Sequence, residues 1–167
     1  MSTATIERKE TGKELGFRQL DTAEIVTQLN TTLCAFQVFF HKLQNFHWNV
    51  TGSDFYDIHD FTEEMYQSTL KKIDDIAERI RVFGCYPAVS MRDYIKESII
   101  HESDQNLTAL QIVNELTEDI QKLNELLLGV HEKSSLHGDL GTAYLVSKWI
   151  AELEKEHWQL TSWAHKI

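Results

Sequence analysis

The stretch FHWNVTGSDFYDIHDFTEEMYQSTLKKIDDIAERIRVFG, residues 46–84, decides the fold. From residue 55 onward, mostly apolar positions recur every three or four residues, which is typical of one buried helical stripe. These positions are Ile58, Met65, Thr69, Ile73, Ile76, Ile80 and Phe83. Because Gly84 follows, where a helix commonly ends, we predict a helix over residues 55–83. The short segment 50–54 before it predicts that the preceding helix packs antiparallel to this one.

Three further long helices are predicted outside this stretch. Before it, residues 21–50 carry a stripe formed by Ile25, Leu29, Leu33, Phe36, Phe40 and Leu43. After it, helices are predicted over residues 110–130 and from residue 142 to the C-terminus. The connection 85–106 holds a candidate short helix at 91–99, with Ser90 and Asp93 as a candidate cap. Four helices with one long connection predict a four-helix bundle.

Length, composition and charge narrow the class of protein. The 167 residues suit one domain, with residues 1–20 as an N-terminal tail and 21–167 as the bundle, and 42% hydrophobic content suffices for a core. Cys34 and Cys85 are too few and too distant for a zinc site or a disulfide framework, so we expect reduced thiols. Since no apolar run could span a bilayer and the N-terminus does not resemble a secretion signal, we expect a cytoplasmic protein. The formal net charge of −10 disfavours nucleic acid as a partner and favours cations.

Four potential metal ligands share one face of the second predicted helix. With His59 at zero on a helical wheel, Glu63 lies near 40°, Asp74 near 60° and Glu78 near 100°, at about 100° per residue. Tyr66 and Leu70 occupy the same face, which a purely solvated surface would not need. Across the short connection, His47 continues the stripe of the first helix, so the hairpin can bring its imidazole to that of His59.

The spacing of these ligands predicts a site shared between two copies of the chain. Glu63 and Asp74 are eleven residues apart, about 16 Å along a helix, which is too far for one metal ion to bridge. If two copies meet about a twofold axis with their second helices antiparallel, His47, His59 and Glu63 of one subunit face Asp74 and Glu78 of the other. Two such sites per dimer are therefore expected.

The five residues also admit plainer interpretations. An acidic pair such as Asp74 and Glu78 is commonly a solvated or salt-bridged face, and His47 alone could be a hydrogen-bonded core histidine. Taken together, His and carboxylate ligands without thiolate suit Fe(II), Mn(II) or Zn(II), and several carboxylates favour iron. Spacing alone does not choose among these metals.

The stretch quoted above resembles the core motif of the Dps family, the ferritin-like mini-ferritins named as DNA-binding proteins from starved cells. The family pattern is His-Trp, a nearby Gly, a second His at +12, a carboxylate at +16 and Asp-x₃-Glu-Arg from +27 to +32. This sequence fills every position, with His47, Trp48, Gly52, His59, Glu63, Asp74, Glu78 and Arg79. The segment HGDLGTAYLVSKWIAELEKEHW is similar to the fourth helix of the family, so the resemblance covers the chain from about residue 20. The predicted fold class is therefore all-α, a ferritin-like four-helix bundle with a short helix in the connection between its second and third long helices.

The resemblance implies a function as well as a fold. Family members are hollow dodecamers whose ferroxidase sites oxidise Fe(II) to Fe(III), preferentially with hydrogen peroxide, and store ferric mineral, which protects the cell from oxidative damage. The implied iron ligands, and thus the catalytic residues, are His47, His59 and Glu63 of one subunit with Asp74 and Glu78 of its twofold mate. Trp48, beside a ligand, is an auxiliary candidate that tunes or protects the site; core packing is the alternative.

Two departures from the family pattern bear on iron access and on DNA. The family's pore motif resembles Asp-x-x-Thr-Ala-Asp, and here Asp139 is kept while Tyr144 replaces the second acid. Asp139 is thus a candidate pore residue, or only a charge at a helix N-terminus. The lysine-rich tail that often binds DNA in the family is missing, because residues 1–18 combine four basic with three acidic side chains. We expect weak or no DNA binding.

Three other functions remain as alternatives. A di-iron bundle with its site inside one subunit needs two Glu-x-x-His motifs, and only Glu154 with His157 fits. In a metal-free interaction module, the ligand face would be a polar dimer interface. A cage whose main activity is DNA protection would give a gel shift.

Overall fold

Five helices account for the computed structural model, which describes residues 15–16 and 19–165. The helices are α1 (Gln19–Asn49), α2 (Phe55–Val82), α3 (Met91–Glu97), α4 (Ala109–Leu136) and α5 (Leu140–Ala164). The predicted all-α class is confirmed, and the short α3 lies in the long connection, as expected. Most of the predicted tail, residues 1–20, lies outside the described part of the chain.

The bundle encloses one apolar core, to which all four long helices contribute. Phe36, Phe39 and Phe46 of α1 are fully buried, and the predicted stripe of α2 is buried with them. The side chains that α4 and α5 add include Leu116, Leu123, Trp149 and Leu153. Burial of these apolar groups, at about 25 cal/mol per Å², is the main force that holds the helices together.

Two buried lysines connect helices across this core. Lys42 of α1 pairs with Glu115 at 2.9 Å and Asp119 at 2.7 Å, both on α4. Lys72 of α2 pairs with Glu152 of α5 at 2.8 Å and donates to Ser68 at 2.6 Å. Each lysine is less than a tenth exposed, so each charge depends on its acidic partner.

Helix ends mostly follow local capping chemistry, and two of them differ from the prediction. Thr108 begins α4 with a reciprocal capping box to Gln111. Ser90 occupies the cap position of α3, but its side chain makes no capping hydrogen bond, so the predicted cap with Asp93 is wrong. The last helix begins at Leu140, two residues earlier than predicted, because Asp139 caps it.

The connection between α1 and α2 positions the candidate site. It spans only residues 50–54, and Gly52 adopts a φ of +105°, a left-handed conformation that side chains disfavour. This tight reversal places the last turn of α1 beside the first turns of α2. Among the described residues, none of the helices is long and apolar enough to cross a membrane.

Candidate metal site

Three of the five predicted ligands lie together at the α1–α2 hairpin. His47 comes from the last turn of α1, and His59 and Glu63 come from the first turns of α2. One ligand atom from each residue lies within 4.8 Å of the other two. His47 is buried, whereas His59 and Glu63 are half-buried, so the group borders on the surface.

Reciprocal hydrogen bonds orient the two imidazoles. Nδ1 of His47 donates to the carbonyl oxygen of His59 at 2.9 Å, and Nδ1 of His59 donates to the carbonyl oxygen of His47 at 2.8 Å. The rings stack with centroids 3.8 Å apart. Because a carbonyl oxygen can only accept, each neutral ring carries its proton on Nδ1 and keeps a lone pair on Nε2. The arrangement presents two Nε2 atoms to a cation.

The carboxylate of Glu63 is held by its neighbours one helical turn away. Its Oε1 accepts from the hydroxyl of Tyr66 at 3.3 Å and from the amide of Gln67 at 3.2 Å. The Tyr66 ring also meets His47 edge-on, with centroids 5.4 Å apart. Since Oε2 takes part in neither bond, one carboxylate oxygen is available to a metal. Such outer contacts are the usual support of a metal ligand.

The supporting roles of Tyr66 and Gln67 were not predicted from the sequence. Tyr66 was placed on the ligand face, but the two donors were not assigned to Glu63. Their positions at i+3 and i+4 from the carboxylate are a signal that could have identified them. Side chains at those offsets are neighbours on a helix surface.

The donor set consists of imidazole and carboxylate groups and contains no thiolate. Two imidazole nitrogens and a carboxylate fit Fe(II), Mn(II) or Zn(II). Both cysteines are free, and burial raises the pKa of Cys34 to about 11, so its thiol stays protonated. The plainer interpretation of His47 is a hydrogen-bonded core histidine. Its Nδ1 has a hydrogen bond of that kind, yet the residue also belongs to the cluster of potential ligands.

The two remaining predicted ligands, Asp74 and Glu78, lie on the exposed surface of α2, outside the cluster. Asp74 borders a groove with Leu70, Pro87 and Val89. Within the described part of the chain, neither carboxylate has a side-chain hydrogen bond or ion pair. One chain thus assembles three of the five residues, and the shared site remains a prediction.

Trp48 does not belong to the core of this chain. Its side chain is 67% exposed and borders a cavity of about 480 Å³, which Met91 and Ile95 of α3 also line. Core packing within one chain is therefore the wrong interpretation of Trp48. Its auxiliary role beside His47 stays a prediction.

Asp139 serves as the N-cap of α5 and is almost completely buried. Its Oδ1 accepts from the backbone N–H of Thr142 at 3.1 Å and pairs with the Arg79 guanidinium. Tyr144, one turn later, is 72% exposed. These contacts support the alternative interpretation of Asp139 as a charge at a helix N-terminus, and its pore role stays a prediction.

The alternative di-iron motif, Glu154 with His157, is not part of a cluster of potential ligands among the described residues. Nε2 of His157 lies 3.1 Å from Nε2 of Gln121, and Glu154 is exposed. Across residues 15–16 and 19–165, His47, His59 and Glu63 form the one group of three potential ligands. The described residues give the intrasubunit site no support.

Comparison with known proteins defines the class to which this bundle belongs. The family model described as Ferritin, a ferritin-like domain, matches residues 26–167. A Dps protein from Vibrio cholerae O1, described as a member of a broad superfamily of ferritin-like diiron-carboxylate proteins, superposes with a TM-score of 0.86. It is 30% identical, over 89% of this chain and 94% of that one. The fold is that of a ferritin-like protein.

Sequence relatives narrow the class to one family. The DNA protection during starvation protein of Helicobacter pylori is 34% identical over 74% of this chain and 86% of its own length. DNA protection during starvation protein 2 of Bacillus anthracis is 34% identical over 86% of this chain and 98% of its own. The chain belongs to the Dps family of ferritin-like proteins.

Proposed function

We propose that this protein is a ferroxidase, an oxidoreductase that converts Fe(II) to Fe(III) with hydrogen peroxide or oxygen and stores the ferric product in a hollow oligomer. Membership of the Dps family of ferritin-like proteins supports a role in iron storage and protection. The observation that carries the proposal is the cluster of His47, His59 and Glu63. The Nδ1 atoms of both histidines are hydrogen-bonded, and one ligand atom of each of the three residues lies within 4.8 Å of the others.

The proposed site is completed by a second copy of the chain. Asp74 and Glu78 are exposed and have no side-chain partner in the described residues, so they are available to an incoming subunit. A twofold axis that sets two α2 helices antiparallel brings this end of one subunit to the His47 end of the other. Each dimer then holds two sites with five protein ligands each.

Pairing of two Fe(II) ions gives the reaction its protective value. Each Fe(II) loses one electron, and one hydrogen peroxide accepts both electrons and takes up two protons to become two waters. A single Fe(II) could supply only one electron and would release hydroxyl radical. A site that holds two ions avoids that radical, which accounts for protection against oxidative damage.

The assembly is proposed to be a dodecamer, a hypothesis that rests on the family resemblance. A particle of twelve 19.4 kDa chains has a mass that light scattering distinguishes from that of a dimer. Iron is the substrate and the stored product, and DNA is not a proposed partner because the chain carries a net charge of −10.

The test of this function is anaerobic addition of Fe(II) to the apo-protein, followed by half an equivalent of hydrogen peroxide or by air. Ferric absorbance is followed for the wild type, His59→Ala, Asp74→Ala and the control Asp75→Ala. Asp75 is the neighbouring acid on α2 and lies 3.8 Å from Lys71, so its loss matches the charge change at Asp74.

We expect rapid oxidation and soluble iron for the wild type and Asp75→Ala, and loss of both in the other two variants. Equal oxidation by all four proteins would show that the five residues are structural. The metal-free interaction module would then be the better interpretation.

A further inference from the structure

The two halves of the proposed site are supported in different ways. His47, His59 and Glu63 are each fixed by a hydrogen bond to a backbone carbonyl or a neighbouring side chain. Asp74 and Glu78 have no such bond within the described part of the chain. Their placement therefore depends on the position of α2 itself.

The end of α2 that carries these two carboxylates is a helix terminus. Helix α2 ends at Val82, about one turn after Glu78 and about two turns after Asp74. Last turns of helices fray, and a displacement of about 1 Å at a reacting centre can cost roughly 100-fold in rate. Ile76 and Ile80 bury the inner face of this end in the core, and a polar contact outside the core would restrict its position further.

Arg79, the residue after Glu78, supplies such a contact. Its Nε donates to Oγ1 of Thr142 at 2.7 Å, and its Nη2 donates to Oδ1 of Asp139, across sequence separations of 63 and 60 residues. Asp139 is 1% exposed and is held in turn by the backbone N–H of Thr142. The guanidinium thus joins the end of α2 to the first turn of α5.

The surroundings leave the guanidinium little freedom. A Cβ added at Gly141 would lie 3.0 Å from Nη2 of Arg79, so the cation rests directly against the backbone of α5. The guanidinium also lies over the ring of Phe83, with Cζ 4.8 Å from the ring centroid. Gly141 and Phe83 therefore complete a close-fitting seat for the Arg79 guanidinium.

We propose that Asp139 is a positioning residue for the shared metal site. By holding Arg79 against α5, it fixes the end of α2 and with it Asp74 and Glu78. This role differs from the pore role that the family motif suggests. It rests on the proposed function, because Asp74 and Glu78 are ligands only if two copies share the site.

The test compares Co(II) binding by the assembled apo-protein with thermal unfolding of the same samples. Asp139→Asn removes the charge that holds Arg79 but keeps an oxygen for the α5 cap. Thr142→Val removes only the second acceptor and keeps the shape of the side chain. Asp119→Asn is the matched control, since Asp119 is equally buried and paired but joins α4 to α1.

We expect Asp139→Asn to weaken Co(II) binding about tenfold and to alter the visible Co(II) spectrum, which reports ligand geometry. Thr142→Val should weaken Co(II) binding about threefold and alter the spectrum in the same direction. This variant decides the question if Asp139→Asn does not fold. The control should bind within about twofold of the wild type, whatever its loss of melting temperature.

Wild-type binding by Asp139→Asn and Thr142→Val would overturn the inference, as would an equal loss in Asp119→Asn. Asp74→Ala separates the two claims. If that variant binds Co(II) like the wild type, the shared site itself is wrong. If it binds weakly while Asp139→Asn binds normally, only the positioning role is wrong.

Discussion

At the scale of single residues, the hydrogen bonds around the cluster determine which atoms face a metal. The reciprocal Nδ1 bonds of His47 and His59 reserve both Nε2 atoms, and the donors to Glu63 reserve one carboxylate oxygen. Rotamers fixed before the metal binds reduce the entropy lost on binding. The apo-site is therefore preorganised.

Tyr66→Phe tests this preorganisation, because it keeps the ring against His47 and removes the hydroxyl that donates to Glu63. We expect the affinity for Co(II) to fall about tenfold, at the low end of such effects, because Gln67 still donates. A Co(II) titration followed by absorbance measures the change. Unchanged affinity would show that Glu63 does not depend on the hydroxyl.

A second residue links stability to pH. Burial raises the pKa of Glu156 to about 7 from its ordinary 4.5, and the nearby Glu152 adds to this effect, whereas Lys72 and Lys155 oppose it. Between these values the folded chain holds a proton that the unfolded chain has lost. The contribution to stability is thus full below pH 4.5 and is lost as the pH rises through about 7.

Glu156→Gln stays neutral at every pH and should remove this loss. We expect its advantage in the free energy of unfolding over the wild type to be about 2–3 kcal/mol larger at pH 8 than at pH 5. Urea unfolding at the two pH values measures the difference. An advantage that does not change with pH would contradict the raised pKa.

At the scale of helices, periodicity and end signals made most of the fold predictable. The stripe of α2 is buried as expected, and the glycines at 52 and 84 adopt the positive φ that ends or reverses a chain. What could not be predicted are the contacts between helices far apart in sequence. Lys42 and Asp119 are 77 residues apart, and a lone lysine beside an apolar stripe looks like a solvated residue.

Capping gives a paired prediction at this scale. Thr108 forms a complete capping box on α4, whereas Ser90 caps α3 without a side-chain bond. Thr108→Ala should lower the free energy of unfolding by about 1 kcal/mol, and Ser90→Ala by less than about half as much. Urea denaturation of both variants at one pH provides the comparison. A larger loss for Ser90→Ala would contradict the assignment.

At the scale of the whole molecule, one chain brings together only three of the five predicted ligands. His47, His59 and Glu63 were brought together by a hairpin that the sequence made foreseeable, since only residues 50–54 separate the helices. The support from Tyr66 could have been inferred from its i+3 spacing to Glu63, whereas the anchor of Arg79 on Asp139 could not, because the two residues are 60 positions apart in sequence.

Charge gives a prediction for the assembled molecule. Each chain carries a net charge of −10, so an oligomer repels the phosphate backbone, and residues 1–18 add only about +1. We expect no gel shift of duplex DNA at about 50 mM or at about 150 mM salt. A gel shift that disappears as the salt concentration rises would show that the assembly has a basic surface. DNA protection would then become a candidate for the main activity.

The most direct test of the shared site is complementation between two inactive subunits. His59→Ala and Asp74→Ala chains are co-expressed with different tags, and mixed assemblies are isolated through both tags. In a mixed dimer one site carries both lesions and the other carries none. With random pairing, we expect each variant alone to oxidise Fe(II) at background rate and the mixed assembly to recover about a quarter of the wild-type rate. A mixed assembly no more active than either variant alone would contradict a site built from two copies.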